Sequence, residues 1–230
     1  MDVVIVPVYH RVNYTALCLQ SLFNARGMQD KLLYVPIDNH IGGPSTKPMQ
    51  DLVGQINFEN CVQWLIEPHR EAGYLRCTND AFRLALDDGA EKIYYIEDDV
   101  VVTPDFFEWH DAVQADGDWM CSSAWRRPNG QDKPHDPEAY YQVKFPTTIS
   151  IGTCFKRDKL KIALETHDWN PQDRMLNEGW KCVRPYTQRC YHIGRISNHP
   201  GGKECPPEAV DALPDPLPDY GAQKVVFRGL

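Results

Sequence analysis

Short apolar segments alternate with amphipathic ones over the first ~125 residues, and this alternation limits the folds open to the chain more than any other feature. Most of the apolar segments are continuous, as expected of strands that are buried on both faces. Five of them are predicted as strands: DVVIVPVY, KLLYVPID, CVQWLI, IYYI with the acids EDD at its end, and DWMCSSAW. Strands that alternate with helices of about 12 residues predict an α/β fold with a doubly wound, mostly parallel sheet.

The predicted helices carry their own start and stop signals. Asn13 is a suitable N-cap for the first helix, and Gly27 is placed to end it. Thr103 as a cap, with Pro104 at the first helical position, predicts a helix over DFFEWHDAVQA. These signals place one helix after the first strand and another after the acidic strand.

The chain is less regular after Trp125, where a polar loop, strand pieces and the helix-like segment NPQDRMLNEGW follow one another. The segment 206–230 is rich in Pro and Gly, which predicts an extended tail. We therefore expect one domain over 1–205, with halves at 1–125 and 126–205, followed by this tail.

Three adjacent carboxylates, Glu97, Asp98 and Asp99, interrupt the apolar run of IYYIEDDVVV. Like charges repel and buried carboxylates are costly to desolvate, so a positive group is expected beside them. Side chains alternate along an extended strand, which predicts that Glu97 and Asp99 face one way and Asp98 the other. Oxygen ligands of this kind suit Mn²⁺ or Mg²⁺ bridging a diphosphate. The plainer alternative, a solvated acidic turn, is disfavoured by the apolar residues on both sides.

Polar residues also follow the other predicted strands. They are Tyr9 to Arg11, Asp38, and His69 to Arg70. Ligands of open parallel sheets bind beyond the carboxyl ends of the strands. The pattern predicts that these segments and the acidic triplet line one crevice.

The composition narrows the classes of partner. A formal net charge of −8 disfavours polyanions such as nucleic acid. No apolar run approaches the ~18–20 residues that span a bilayer, and the start MDVVIVPVYHR lacks the basic region of a signal peptide. These features predict a cytoplasmic protein without a transmembrane segment.

The eight cysteines have no C-x-x-C pair and no zinc-like spacing, so most are predicted to be buried thiols. Cys182 and Cys190 are the candidate pair.

Several motifs together resemble one family. The stretches VIVPVYHR, PIDNH, YYIEDDVVVTPDFFEW, CSSAW, HDWN, CVRP and HIGRISNHPGG occur in the order and spacing of nucleotide-sugar glycosyltransferases of the GT-A fold. The resemblance covers residues 2 to 200. It is greatest to the N-acetylglucosaminyltransferase I type and more distant to the family 2 type.

The resemblance implies roles for individual residues. Arg11 and Asp38 match positions that hold the nucleoside, Glu97 and Asp98 match residues that face the donor sugar and ribose, and Asp99 matches the metal ligand. The donor-binding set that it implies is Pro7, Tyr9, Arg11, Asp38, Arg70, Tyr74, Asn79, Glu97, Asp98 and Ser197. The alternatives are a surface cation at a helix start for Arg11 and a turn acid for Asp38.

A catalytic base is expected in ETHDWNPQDR, because an inverting transfer requires a group that removes the proton of the acceptor hydroxyl. Asp168 is the candidate, with His167 second and Asp173 third. Here His167 replaces the first of two acids that related enzymes have before the tryptophan. Asp168 as a helix cap remains the structural alternative.

The loop GRISNHPGG resembles the segment that covers the donor phosphates in this family. It implies that Arg195 and Ser197 contact the diphosphate, and that His199 is either a metal ligand or a surface residue. Trp125, Arg126 and Arg127 are candidates for the acceptor side.

The sequence therefore predicts a Mn²⁺- or Mg²⁺-dependent inverting glycosyltransferase that takes its sugar from a nucleoside diphosphate donor, UDP above all. A hydroxyl of a glycan, a small molecule or a modified nucleic acid would be the acceptor. Two alternatives are a sugar-nucleotide nucleotidyltransferase, disfavoured because PVYHRVNYT has no glycine, and a non-catalytic sugar- or nucleotide-binding module.

Overall fold

The apolar segments form the strands of one large sheet. The computed structural model describes residues 1–70, 75–125, 140–143, 151–166 and 177–194. The strands are β1 (Asp2–Ile5), β2 (Leu32–Ile37), β3 (Cys61–Leu65), β4 (Lys92–Tyr95), β5 (Val100–Val102), β6 (Cys121–Ser123), β7 (Tyr140–Val143), β8 (Thr153–Lys156), β9 (Cys182–Pro185) and β10 (Cys190–His192). The helices are α1 (Val12–Phe23), α2 (Lys47–Val53), α3 (Leu75–Asp87), α4 (Phe106–Asp116) and α5 (Arg157–Leu164), with a 3₁₀ turn at Met28–Asp30.

Within these residues, eight strands form one sheet in the order β3-β2-β1-β4-β8-β6-β9-β7. The strands β3, β2, β1 and β4 are parallel to one another. Strand β8 lies antiparallel between β4 and β6, and β9 is parallel to β6. The predicted α/β fold with a mostly parallel sheet is confirmed.

Both faces of this sheet are covered by helices. Val4 of β1 packs in a cluster with residues of α1, α2 and α4, whereas Val3 and Ile5 pack with residues of α3 and α5. All three side chains are fully buried. This burial explains why the strands are continuously apolar, and it makes the sheet a rigid base for the loops at its carboxyl edge.

The three acids, predicted to close the fourth strand, lie in a turn between two strands, β4 and β5. β4 ends at Tyr95, and the backbone N–H of Val100 donates to the carbonyl of Glu97 across a turn, with N and O 3.1 Å apart. β5 then pairs antiparallel with β10 in a separate two-stranded sheet. β5 lies outside the main sheet because its backbone hydrogen-bond partners are in β10. The acids therefore lie in a turn between two sheets.

The predicted starts of two helices are also corrected. α1 begins at Val12, one residue before the predicted cap Asn13, and it ends at Phe23 rather than at Gly27. Gly27 has φ +87° and precedes the 3₁₀ turn. α4 begins at Phe106, because its N–H donates to the carbonyl of Thr103 and Pro104 lies in the turn between them.

The prediction that most cysteines are buried thiols is confirmed for the described residues, but the candidate pair of Cys182 and Cys190 is not the pair that meets. Cys182 Sγ lies 3.0 Å from Cys121 Sγ, since the two residues are register partners of the parallel strands β9 and β6. Cys190 lies in β10, in the other sheet. The seven cysteines of the described residues are free thiols, and six of them are buried.

Two further findings concern the organisation of the chain. No helix of the described residues has both the length and the apolar character needed to cross a membrane. The predicted tail 206–230 and the boundary at 205 lie outside the described residues.

Candidate active site

The acidic turn lies at the carboxyl edge of the sheet, next to the segment that follows β1. Because β1 pairs with both β4 and β2, the chain after β1 lies between the turn after β4 and the end of β2. Glu97 is half-buried, and Asp98 and Asp99 are buried. The predicted convergence of these strand ends is therefore present for the segments after β1, β2 and β4.

The positive group beside the acids is Arg11. Its Nη1 donates to Asp99 Oδ2 over 2.6 Å, its Nε donates to Asp98 Oδ2 over 3.3 Å, and its Nη2 donates to Asp98 Oδ1. Burial alone would lower the pKa of Arg11, but the negative charges of Asp98 and Asp99 outweigh it and raise that pKa above its ordinary value. The guanidinium is therefore a permanent cation inside the cluster.

A histidine that the sequence did not single out completes the site. His192, at the end of β10, has Nε2 3.2 Å from Asp99 Oδ2. The hydrogen bond to Asp99 raises the pKa of His192, against the opposing effect of burial. His192 reaches the acids because it is the register partner of Val100, the residue directly after Asp99, in the antiparallel pair of β10 and β5. This pairing, which only the structure reveals, is the one indication of its role.

Asp99 is the most constrained member of the cluster. Burial by itself would raise its pKa, but the hydrogen bonds from His192 and Arg11 lower it below its ordinary value. A Cβ on Gly194 would overlap Asp99 Oδ2, so this position requires the absence of a side chain. The carboxylate is held ionised in one orientation.

The cluster has the composition of a cation site. One ligand atom each from Glu97, Asp99 and His192 lie within 4.8 Å of one another. Asp99 Oδ1 is buried and has no hydrogen-bond partner among the described residues, which leaves a lone pair for a ligand. Two carboxylates and an imidazole fit Mn²⁺, which accepts both oxygen and nitrogen ligands. The predicted alternation of the three acids does not hold, because they lie in a turn and Arg11 contacts both Asp98 and Asp99.

A second polar group lies at the ends of β2 and β3. His69 Nε2 is 2.6 Å from Asp38 Oδ1, and both side chains are buried. Burial, and then the negative charge of Asp38, raise the pKa of the Tyr9 phenol. A Cβ on Gly43 would overlap the Tyr9 hydroxyl, so the loop after β2 packs directly against this ring.

Three other residues predicted to bind the donor lie within the described residues. Pro7 is buried and lies in sequence between β1 and Val8, which forms an isolated β-bridge. Arg70 is exposed, and Asn79 is half-buried in α3. In the first turn of α3, Cys77 Sγ donates to the carbonyl of Pro36 in β2, which places the start of this helix against that strand.

Of the residues predicted for the acceptor side, Trp125 is partly buried, and the guanidinium of Arg184 lies 5.5 Å from its ring centre. Other predicted site residues lie outside the described residues: Tyr74, Arg126, Arg127, His167, Asp168, Asp173, Arg195, Ser197 and His199.

Comparisons with known proteins connect this geometry to a class of enzyme. No protein-family model matches the chain. An alpha-1,3-mannosyl-glycoprotein 2-beta-N-acetylglucosaminyltransferase of Arabidopsis thaliana is 30% identical over 113 residues, which are 45% of this chain and 25% of that protein. The match thus spans a quarter of the length of this curated relative.

Two solved structures share the fold. S. aureus TarS in complex with UDP-GlcNAc has a TM-score of 0.60 at 16% identity, over 86% of this chain and 60% of that chain. The mannosyltransferase PcManGT from Pyrobaculum calidifontis, in complex with GDP-Man and Mn²⁺, has a TM-score of 0.60 at 16% identity, over 84% of this chain and 57% of that chain. The chain therefore has the GT-A fold, and its resemblance is to the nucleotide-sugar glycosyltransferases.

Proposed function

We propose that the chain is a metal-dependent inverting glycosyltransferase that moves a sugar from a nucleoside diphosphate donor, most readily a UDP-sugar, to a hydroxyl acceptor. The observation that carries the proposal is the cluster of Glu97, Asp99 and His192 beside Arg11 at the carboxyl edge of the sheet. Such an edge is where ligands of open α/β sheets bind.

The metal site of this proposal consists of Glu97, Asp99 and His192, with Asp99 Oδ1 as an available ligand atom. A Mn²⁺ or Mg²⁺ ion held there would supply Lewis-acid stabilisation of the negative charge that develops on the departing diphosphate. Asp99 is suited to this role because its pKa is lowered, which keeps it ionised and able to donate electron pairs.

Arg11 has two functions in the proposal. Its guanidinium holds Asp98 and Asp99 in place by three hydrogen bonds, and its positive charge lies where the donor diphosphate would approach. This extends the role implied by the resemblance, in which Arg11 contacts the nucleoside. Glu97 and Asp98 remain the proposed contacts of the donor sugar and ribose.

The nucleoside would extend from the diphosphate toward β2. Asp38 and Tyr9 are the proposed contacts there, with Pro7, Arg70, Tyr74 and Asn79 around them and Ser197 near the phosphates. The ends of β4 and β2 are separated by two strand spacings, about 10 Å, which an extended nucleoside can cover.

The transfer step requires a base on the opposite face of the sugar. Asp168 is the proposed base: it takes the proton of the acceptor hydroxyl while that oxygen bonds to the anomeric carbon. The bond between this carbon and the diphosphate oxygen breaks, and its electron pair leaves with the diphosphate. Attack opposite the leaving group inverts the configuration.

A donor panel tests the proposal. UDP-, GDP- and TDP-sugars would be incubated with the protein and Mn²⁺, and release of the nucleoside diphosphate would be measured with and without a panel of glycan acceptors. We expect release from at least one donor, at least about a hundredfold less with Asp99→Ala, and donor binding without transfer with Asp168→Asn. Full transfer activity in Asp168→Asn would refute the role of that residue.

The second candidate function is a nucleotide-binding module without turnover. It is favoured by one observation, that Arg11 already neutralises Asp98 and one oxygen of Asp99. It predicts Mn²⁺-independent binding of UDP and no release from any donor. The same panel separates the two functions.

A further inference from the structure

The strand that follows the acids, β5, has a strand partner on one edge. Among the described residues it pairs with β10 and with no other strand. Toward β10, the carbonyl of Asp99 accepts from Ile193 N–H over 2.9 Å, and Thr103 N–H donates to the carbonyl of Arg189 over the same distance. Only alternate residues of an antiparallel strand bond to the partner strand, so the N–H of Val102, one residue before Thr103, points away from β10.

Ser21 of α1 supplies the acceptor at this second edge. Val102 N–H donates to Ser21 Oγ over 3.0 Å, and both residues are buried. The hydroxyl itself donates to the carbonyl of Cys18, one helical turn earlier, over 2.7 Å. Because its hydrogen is used there, the oxygen presents lone pairs to Val102. A buried N–H without a partner is costly, so this bond fixes the end of β5 against α1.

The same face of α1 also bonds to the backbone before the acids are complete. Cys18 Sγ donates to the carbonyl of Glu97, with S and O 3.5 Å apart. Cys18 and Ser21 are three positions apart, which places them side by side on the helix. The backbone is therefore held by α1 at Glu97 and at Val102, on either side of Asp99.

We propose that Ser21 is a positioning residue of the metal site, which acts on it through Val102 and β5. This inference rests on the proposed function and concerns the geometry of its metal site. The cluster requires Glu97 and Asp99 at fixed places relative to His192, which β10 carries. Without the hydroxyl, β5 would have to shift to give Val102 N–H another partner, and the carboxylates would move with it.

The test is electron paramagnetic resonance titration of Mn²⁺ alone into the wild type and into variants at Ser21. We expect an affinity at least about fivefold lower in Ser21→Ala, somewhat less than the roughly 10–100-fold loss for groups that bond a metal ligand directly. Ser21→Thr keeps a hydroxyl that can reach the Cys18 carbonyl, and it should restore most of the affinity. Amide hydrogen exchange at Val102 should become faster in Ser21→Ala and stay slow in Ser21→Thr.

Thr15 provides a matched control on the same helix. It is fully buried, and its Oγ1 has no hydrogen-bond partner among the described residues. Thr15→Val removes this hydroxyl with little change of shape, and it should keep the wild-type Mn²⁺ affinity and the slow exchange at Val102. A merely structural role of Ser21 would lower the melting temperature of Ser21→Ala and leave the Mn²⁺ affinity of the folded protein unchanged.

The outcomes separate the inference from the proposed function. Wild-type affinity in folded Ser21→Ala, or an equal loss in Thr15→Val, would overturn the role of Ser21 and leave the proposed function in place. A folded wild type that binds no Mn²⁺ would overturn the metal site of the proposed function itself. If Ser21→Ala does not fold, Ser21→Cys decides the question, because sulfur fills the space but is a weak acceptor. Its affinity should be lower than that of Ser21→Thr, and equal affinities would overturn the inference.

Discussion

Nη1 of Arg11 lies 2.6 Å from Oδ2 of Asp99, so the residue that precedes α1 is tied to the turn after β4. The two residues are 88 positions apart in sequence. This ion pair is largely removed from solvent, with the Arg11 side chain 16% exposed and that of Asp99 4% exposed. Arg11 is the positive group expected beside the three adjacent acids, and its charge lies against the negative charges of two of them.

Arg11→Met should destabilise the fold. Removal of one partner of a buried ion pair leaves uncompensated charge and costs about 3–5 kcal/mol of unfolding free energy. Urea unfolding with EDTA present measures it. The matched control is Arg26→Met, which removes an exposed pair with Glu108 and should have little effect. A loss in Arg11→Met no larger than in the control would contradict the importance of this pair.

His192→Ala should weaken Mn²⁺ binding, because the cluster loses its imidazole ligand and the hydrogen bond that orients Asp99. We expect a decrease of at least about tenfold in affinity, in line with the loss of groups that orient metal ligands. Electron paramagnetic resonance titration of Mn²⁺ alone measures it. His40→Ala, a histidine in the loop after β2, is the control and should retain wild-type affinity; an equal affinity in His192→Ala would remove this residue from the site.

Gly194→Ala should also weaken Mn²⁺ binding, because it displaces the Asp99 carboxylate rather than removing a ligand. The new methyl group would overlap Asp99 Oδ2 and force the carboxylate away from the orientation that Arg11 and His192 hold. We expect a lower Mn²⁺ affinity together with a lower melting temperature. Unchanged values of both would show that the loop after β10 can move aside at no cost.

His110 predicts part of the pH dependence of stability. Its ring is buried in α4 with Nδ1 2.7 Å from Ser122 Oγ, and burial lowers its pKa from 6.5 to about 3. The folded state holds the ring neutral, so its contribution is complete above pH 6.5 and is lost as the pH falls toward 3.

The expected slope is about 1.4 kcal/mol per pH unit below the unfolded pKa. Urea unfolding at about pH 7 and about pH 5 should therefore show a loss of roughly 2 kcal/mol that His110→Gln lacks. The comparison uses the difference in slope, since His110→Gln also changes packing at every pH. Equal slopes in the two proteins would mean that another group causes the loss.

The sequence was sufficient for the features that depend on local pattern. Continuous apolar segments separated by amphipathic ones predicted the α/β class and the parallel part of the sheet. A strand that is buried on both faces is apolar over about four to six consecutive residues, so it can be recognised from local sequence. The triplet from Glu97 to Asp99 indicated a charged site, since adjacent carboxylates are costly wherever the chain folds. The strand-end positions of Arg11 and Asp38 followed from the same reasoning.

The tertiary structure alone decided which groups meet. Nothing in the local pattern around Val100 indicates that β10 pairs with it, yet this register brings His192 to Asp99. The insertion of β8 between β4 and β6 and the contact of His69 with Asp38 likewise depend on partners distant in sequence. The pattern of apolar residues indicates whether a residue is buried but not which residue it packs against. For that reason the position of the charged site could be predicted from the sequence, whereas the residues that fix its geometry could not.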